Sequence, residues 1–190
     1  MIPFEEKLIS GCLAANPAMQ KELYSHFSSK MYGICLRYAK DRDEAADLLQ
    51  EGFIKVFDNL HKFKKEGSFE GWIRRIMINT ALSNIRKNHN LYAIVNIENI
   101  EIKDELPEDE NLISRVEINE VLKVIRQLPT GYQMVLNLYA IDGYSHKEIA
   151  KQLGISESTS KSQLSRARTL LVTKIKENIS KKKPKVVNEK

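Results

Sequence analysis

The sequence predicts an all-α protein made of two small helical domains joined by an acidic, flexible linker. Three observations predict it. Apolar residues recur at three- and four-residue intervals through most of the 190 positions, the spacing of a helix that buries one stripe. No segment sustains the alternation of a strand. The five prolines, Pro3, Pro17, Pro107, Pro129 and Pro184, fall where helices would begin or end.

Helices are expected near 5–15, 18–39, 43–60, 69–89, 112–127, 131–142, 145–153 and 157–176. The first two hold Cys12 and Cys35, which stand far apart and read as small core residues rather than as a disulfide or zinc pattern. The helix at 43–60 has an apolar stripe of Ala45, Leu49, Phe53, Val56 and Leu60. Another face carries Glu44, Asp47, Glu51, Lys55 and Asp58, led by acids, which suit a helix N-terminus. Gly52 costs this helix about 1 kcal/mol relative to alanine, so packing must hold it.

On the helix at 69–89, Phe69, Trp72, Ile73, Ile76 and Met77 are expected to face inward. Arg75, Asn79, Ser83 and Arg86 follow one another along a polar face. Before them comes Phe63-Lys-Lys-Glu-Gly-Ser-Phe69, aromatics interleaved with cations. Such a surface suits single-stranded nucleic acid, where bases stack on rings and phosphates meet cations. Residues 91–102 have β-branched content and could pass for a strand, but a lone strand has no partner here, and they read as linker.

Residues 145–168 carry the clearest local pattern. Ser145 and Glu148 form a capping box, Ile149, Ala150 and Leu153 face inward, and Gly154 ends the helix. Ile155 fills the angle and Ser156 caps the next helix. On that second helix Ser158, Lys161, Ser162, Ser165, Arg166 and Thr169 share a face without an acid. This is a helix-turn-helix with a face suited to the major groove.

Charge divides the chain in the same places. Seven Lys/Arg face two acids between 61 and 90, a net of +5, and nine acids face two cations between 96 and 120, a net of −7. The tail Lys181-Lys-Lys-Pro-Lys185 is basic again, and the whole chain carries a formal +5. That balance favours a polyanionic partner. The four histidines are scattered without ligand spacing, so no metal or other cofactor is expected. No apolar run approaches the roughly 20 residues of a membrane span, and the N-terminus is not a signal peptide, so a cytoplasmic protein is expected.

Three segments together resemble the bacterial sigma-70 family of RNA polymerase sigma factors, in its small extracytoplasmic-function class. They are Asp41-Arg-Asp-Glu-Ala-Ala-Asp-Leu-Leu-Gln-Glu-Gly-Phe53, Phe69-Glu-Gly-Trp-Ile-Arg-Arg-Ile-Met-Ile-Asn79-Thr-Ala-Leu, and Leu128-Pro129 leading into Gly154-Ile-Ser-Glu-Ser-Thr-Ser-Lys-Ser-Gln-Leu-Ser-Arg-Ala-Arg168. They occur in family order and cover about 21–90 and 112–172. The resemblance implies a region 2 domain at 1–91, an acidic linker at 92–111, a region 4 helix-turn-helix domain at 112–176 and a basic disordered tail at 177–190. It implies a transcription initiation factor, not an enzyme, that binds core RNA polymerase and promoter DNA and takes no small-molecule substrate. It further implies control by an anti-sigma protein, membrane-tethered.

Residue by residue, Asp47, Gln50 and Glu51 would dock on the polymerase. Arg74, Arg75 and Arg86 would hold phosphates of the minus-10 element, with Asn79 supporting the pocket for a flipped base. Lys161, Ser162, Ser165 and Arg166 would read the minus-35 element. The chain departs from the family at Gly52, where an aliphatic is common, at Ser83, often aspartate, and at Ser158, Ser160 and Gln163 on the recognition helix. The last three leave the promoter sequence open. Two other readings fail. A response-regulator output domain would need a receiver of alternating strands and helices in residues 1–90, and a nuclease would need carboxylates or histidines clustered for a metal; neither pattern is present.

Overall fold

A computed structural model describes residues 4–88 and 118–182. The chain divides into two compact units, Met1–His89 and Asn90–Lys190. Among the described residues there is no strand.

In the first unit α1 spans Phe4–Leu13, α2 Pro17–Tyr38, α3 Arg42–Asn59 and α4 Phe69–Asn88, with a 3-10 turn at Leu60–Lys62 after α3. Local chemistry sets each start. Asn16 accepts from the Ala18 and Met19 amides, with Pro17 at the first helical position of α2. Asp41 accepts from the Glu44 amide at 2.8 Å to begin α3. Helices α2, α3 and α4 pack pairwise around Leu23, Phe27, Met31, Leu49, Phe53, Ile73 and Met77, and α1 closes over α2 and the 3-10 turn with Leu8, Ile9 and Cys12.

Every residue of the predicted α3 stripe is buried. Gly52 explains itself by packing: a Cβ there would run into Met77 Sδ and Cε, so its absence lets α4 come close. On α4 the expected inward set divides. Phe69, Ile73 and Met77 are buried, whereas Trp72 and Ile76 are half-buried. Trp72 lies nearly parallel to Phe69, 5.9 Å between centroids, and 5.5 Å from Phe63, so it forms the outer layer of an aromatic stack rather than core.

In the second unit α5 spans Ile118–Ile125, α6 Thr130–Leu136, α7 His146–Leu153 and α8 Glu157–Lys182. The helix expected at 131–142 changes character halfway: after α6 the chain forms a π turn over Asn137–Ile141, with the Asp142 amide donating to the Asn137 carbonyl at 2.9 Å. Helix α8 packs on α5, α6 and α7. It runs past the expected end at 176 because no glycine or proline interrupts it before Pro184 and Ile175 still finds a buried site. The expected linker at 92–111, the first residues of the helix expected at 112–127, and residues 183–190 of the tail lie outside the described residues.

Candidate polymerase and nucleic-acid interfaces

The capping box on α7 is complete. Ser145 Oγ accepts from the Glu148 amide, and Glu148 Oε2 accepts from the Ser145 amide at 2.9 Å. Gly154 sits in the left-handed region at φ 69°, which a side chain rarely adopts, and turns the chain. The Thr159 amide then donates to Ser156 Oγ at 3.0 Å to start α8. Two tight turns of local chemistry thus fix the angle between α7 and α8.

On α8, Lys161, Ser162 and Ser165 are exposed and Arg166 is half-exposed, as a groove-facing surface requires. Thr169 is not part of that surface: it is buried, and its hydroxyl donates to the Ser165 carbonyl at 3.2 Å. Of the three unusual residues on this helix, Ser158 is exposed, whereas Ser160 and Gln163 are buried. Ser160 Oγ lies 2.9 Å from His146 Nδ1, locking the two helices of the motif together. The unusual identity of Ser160 therefore belongs to packing between α7 and α8.

Arg168, not among the residues expected to read DNA, shares this surface. It is exposed, one turn beyond Ser165 and two beyond Lys161, so these three make one ridge, while Ser162 and Arg166 make the other. The Arg168 guanidinium stands 5.9 Å over the Tyr139 ring, and Tyr139 stacks on His146 at 4.5 Å. The signal was available in the three- and four-residue spacing, but the contact needs the π turn that presents Tyr139.

In the first unit, the acids of α3 share one edge but differ in their partners. Glu44 is structural: its carboxylate accepts from the Lys40 amide at 2.7 Å and from Asn84 Nδ2 of α4 at 2.8 Å. Asp47 and Glu51 lie along an open groove with Lys40, Asp41, Asp43 and Glu44. Glu51 accepts from Lys55 at 2.6 Å, and Lys55 reaches on to Thr80 of α4 at 3.3 Å. Gln50 is placed on the other flank, where its amide donates to the Tyr24 hydroxyl of α2 at 3.0 Å. Between the flanks stands Ile54, 60% exposed, which hydrophobic patterning did not mark because it breaks the stripe. An exposed isoleucine ringed by polar groups is the composition of a protein-docking patch.

On α4, Arg75, Asn79 and Arg86 share an exposed face, with Ser83 half-buried beside them. Arg74 is half-buried and lies a quarter-turn away. Next to this face, Phe63, Phe69 and Trp72 form the ring stack, preceded by Lys62 and followed in the loop by Lys64 and Lys65. Among the described residues no group of His, Cys, Asp or Glu could hold a metal ion, and no helix is long and apolar enough to cross a membrane.

Comparison with known proteins agrees with this division. Residues 23–90 match sigma-70 region 2, and residues 118–171 match sigma-70 region 4. The chain is 30% identical over 164 residues to the ECF RNA polymerase sigma-E factor of Haemophilus influenzae, covering 80% of this chain and 85% of that protein. It is 32% identical over 152 residues to the RNA polymerase sigma-H factor of Pseudomonas aeruginosa, covering 75% and 78%. Among solved structures, its fold is similar to the sigma factor RpoE bound to the anti-sigma factor NepR from Bartonella quintana, with a TM-score of 0.52, 20% identity, and coverage of 83% of this chain and 96% of that one.

Proposed function

We propose specific roles for these surfaces from one premise: the chain belongs to the sigma-70 family of RNA polymerase sigma factors, in its extracytoplasmic-function class. It directs core RNA polymerase to promoters. The α3 face of Asp47, Glu51 and Ile54, with Gln50 at its edge, docks on the polymerase. The α4 face of Arg75, Asn79 and Arg86, flanked by Arg74 and the ring stack, takes the opened minus-10 strand, with Asn79 supporting the pocket for a flipped base. The α8 ridges take the minus-35 element, Lys161 and Ser162 at base edges and Ser165, Arg166 and Arg168 toward the backbone. Catalysis belongs to the polymerase, so this protein needs neither cofactor nor substrate site, and it works in the cytoplasm.

The observation that carries the reading is the separation of chemistries. The exposed face of α3 sets acids around an isoleucine, and that of α8 has cations and hydroxyls with no acid from Ser158 to Arg168. The first fits a protein surface and the second fits phosphate. Of the structural neighbours, RpoE was solved with the anti-sigma factor NepR, and CnrH, at a TM-score of 0.50, with the cytosolic domain of CnrY. An anti-sigma protein that covers the same docking and DNA faces is the expected regulator here, membrane-tethered as the class commonly has it.

The test is transcription by purified core polymerase on a library of fragments from the source genome, with and without this protein. Discrete new start sites sharing elements at minus 10 and minus 35 are expected. Uniform, sequence-independent stimulation would overturn the promoter-directing role.

A further inference from the structure

Helix α1 lies before the region 2 match, which begins at residue 23, and the roles above leave it without one. It is packed against α2. Leu8, Ile9 and Cys12 are buried, and a Cβ on Gly11 would come within 2.8 Å of Met19 Cβ, so α1 and α2 are in close contact. The corner between them is set by Ala15 in the left-handed region, φ 54°, and by the Asn16 cap. From this mount Glu6 reaches across to the loop between the 3-10 turn and α4, where its carboxylate pairs with Lys65 Nζ at 2.9 Å.

Lys65 is the unusual residue of that loop. Its φ is 59°, a left-handed conformation that a non-glycine residue rarely takes, and Gly67 follows at φ 93°. Such a backbone persists only where its surroundings hold it. Two residues earlier, Phe63 packs on Phe69 at 5.0 Å and on Trp72 at 5.5 Å. The loop thus has two anchors: the ring stack at its start and the ion pair to α1 at its middle.

We propose that α1 is a brace for the loop at 63–68, with Glu6 as a positioning residue that holds Lys65 left-handed and so keeps Phe63 seated on Trp72. The consequence for promoter opening rests on the reading that this loop adjoins the minus-10 strand. A loop held in place before DNA arrives loses less freedom on capturing the strand. Glu6 touches no DNA in this scheme and acts through Lys65.

Trp72 is the chain's single tryptophan, so its fluorescence reports the stack without interference. In the free full-length protein, Glu6→Gln should raise acrylamide quenching of Trp72 by roughly half while the melting temperature stays within about 2 °C. Glu6→Gln combined with Lys65→Asn should return quenching to near the parent value, since asparagine takes the left-handed region several-fold more readily than most side chains. Unchanged quenching in Glu6→Gln, or no rescue by Lys65→Asn, would overturn the brace. With core polymerase and a promoter recovered from the genomic library, pre-melted over its minus-10 region, Glu6→Gln should bind up to about fivefold more weakly, the ceiling for an exposed ion pair. Tighter binding would mean that Glu6 instead masks Lys65 from phosphate, and would also overturn the brace. If Trp72 responds as expected and promoter affinity does not, the brace stands and the assignment of the loop to the minus-10 strand falls.

Discussion

On α3 the outward face runs Asp47, Gln50, Glu51, Ile54 and Asp58: three acids and an amide around a half-bare isoleucine. On α8 it runs Ser158, Lys161, Ser162, Ser165 and Arg168, with no acid and no apolar centre. Both helices bury an apolar stripe of ordinary kind, so the fold does not distinguish them. What distinguishes them is the centre of the exposed face. A protein partner gains from an apolar centre that loses its water inside a polar rim. A DNA partner gains from cations that release counterions and from short donors at base edges.

Substitutions on the two faces test the contrast. Lys161→Ala should cost promoter affinity on the order of tenfold or more and relax preference at one position of the minus-35 element. Arg166→Ala and Arg168→Ala should instead weaken all sequences alike and each flatten the salt dependence by about one unit of slope. Selection from a randomised promoter library at two salt concentrations separates them; full activity of Arg166→Ala would break the DNA half of the comparison. Ile54→Lys should lower affinity for core polymerase by about tenfold while leaving thermal stability nearly unchanged, because the side chain is exposed in the free protein. Binding by pull-down and melting of the same preparation check it.

Asn79→Ala should reduce opening of duplex promoters several-fold and binding to pre-melted promoters less, because base flipping is costly only where strands must first part. Permanganate footprinting on both templates reads the difference, and equal losses would remove Asn79 from the pocket. The Asp47→Ala, Glu51→Ala double variant should weaken core binding by about fivefold, less than Ile54→Lys. Exposed charges contribute through steering and are screened by salt. Unchanged core affinity would leave the acids as helix-start chemistry alone.

The smallest effect is one of pH and concerns the interior beneath these faces. Burial pushes the Cys35 thiol up to about 11 from its ordinary 9.0, and raises that of Cys12 as well. The folded form thus disfavours the thiolate. The stability this represents is fully present below the unfolded value and declines as pH rises from about 9 through 11. Alkylation by iodoacetamide at pH 8 should be slow for both cysteines in the native protein and fast in urea. Rapid native labelling would show the α2 core to be open.

Much of this was legible in the residues. The cap-turn-cap grammar of Ser145, Glu148, Gly154 and Ser156 is local, and the sequence holds everything it needs. The α3 stripe was legible because its helix is buried on one side only. Three things were not. Thr169 fits the exposed spacing of α8 but is buried, which periodicity does not contain. The π turn at Asn137–Ile141 shifts register by one residue, and no residue type announces it. Glu44 reads as a helix-start acid from spacing alone. Only the fold brings Asn84, 40 positions later, to its carboxylate.

Gly52 and Met77 carry a consequence for how this lineage can change. Any side chain at 52 must displace the thioether of a methionine that is wholly buried, so a change at 52 is coupled to the residue at 77. A branch that regains the aliphatic residue common at the first position must shorten the second in the same step or pass through a weakened intermediate. Across relatives, bulk at these two sites should therefore trade off, and a pair that is large at both would mark a backbone in which the third and fourth helices have moved apart.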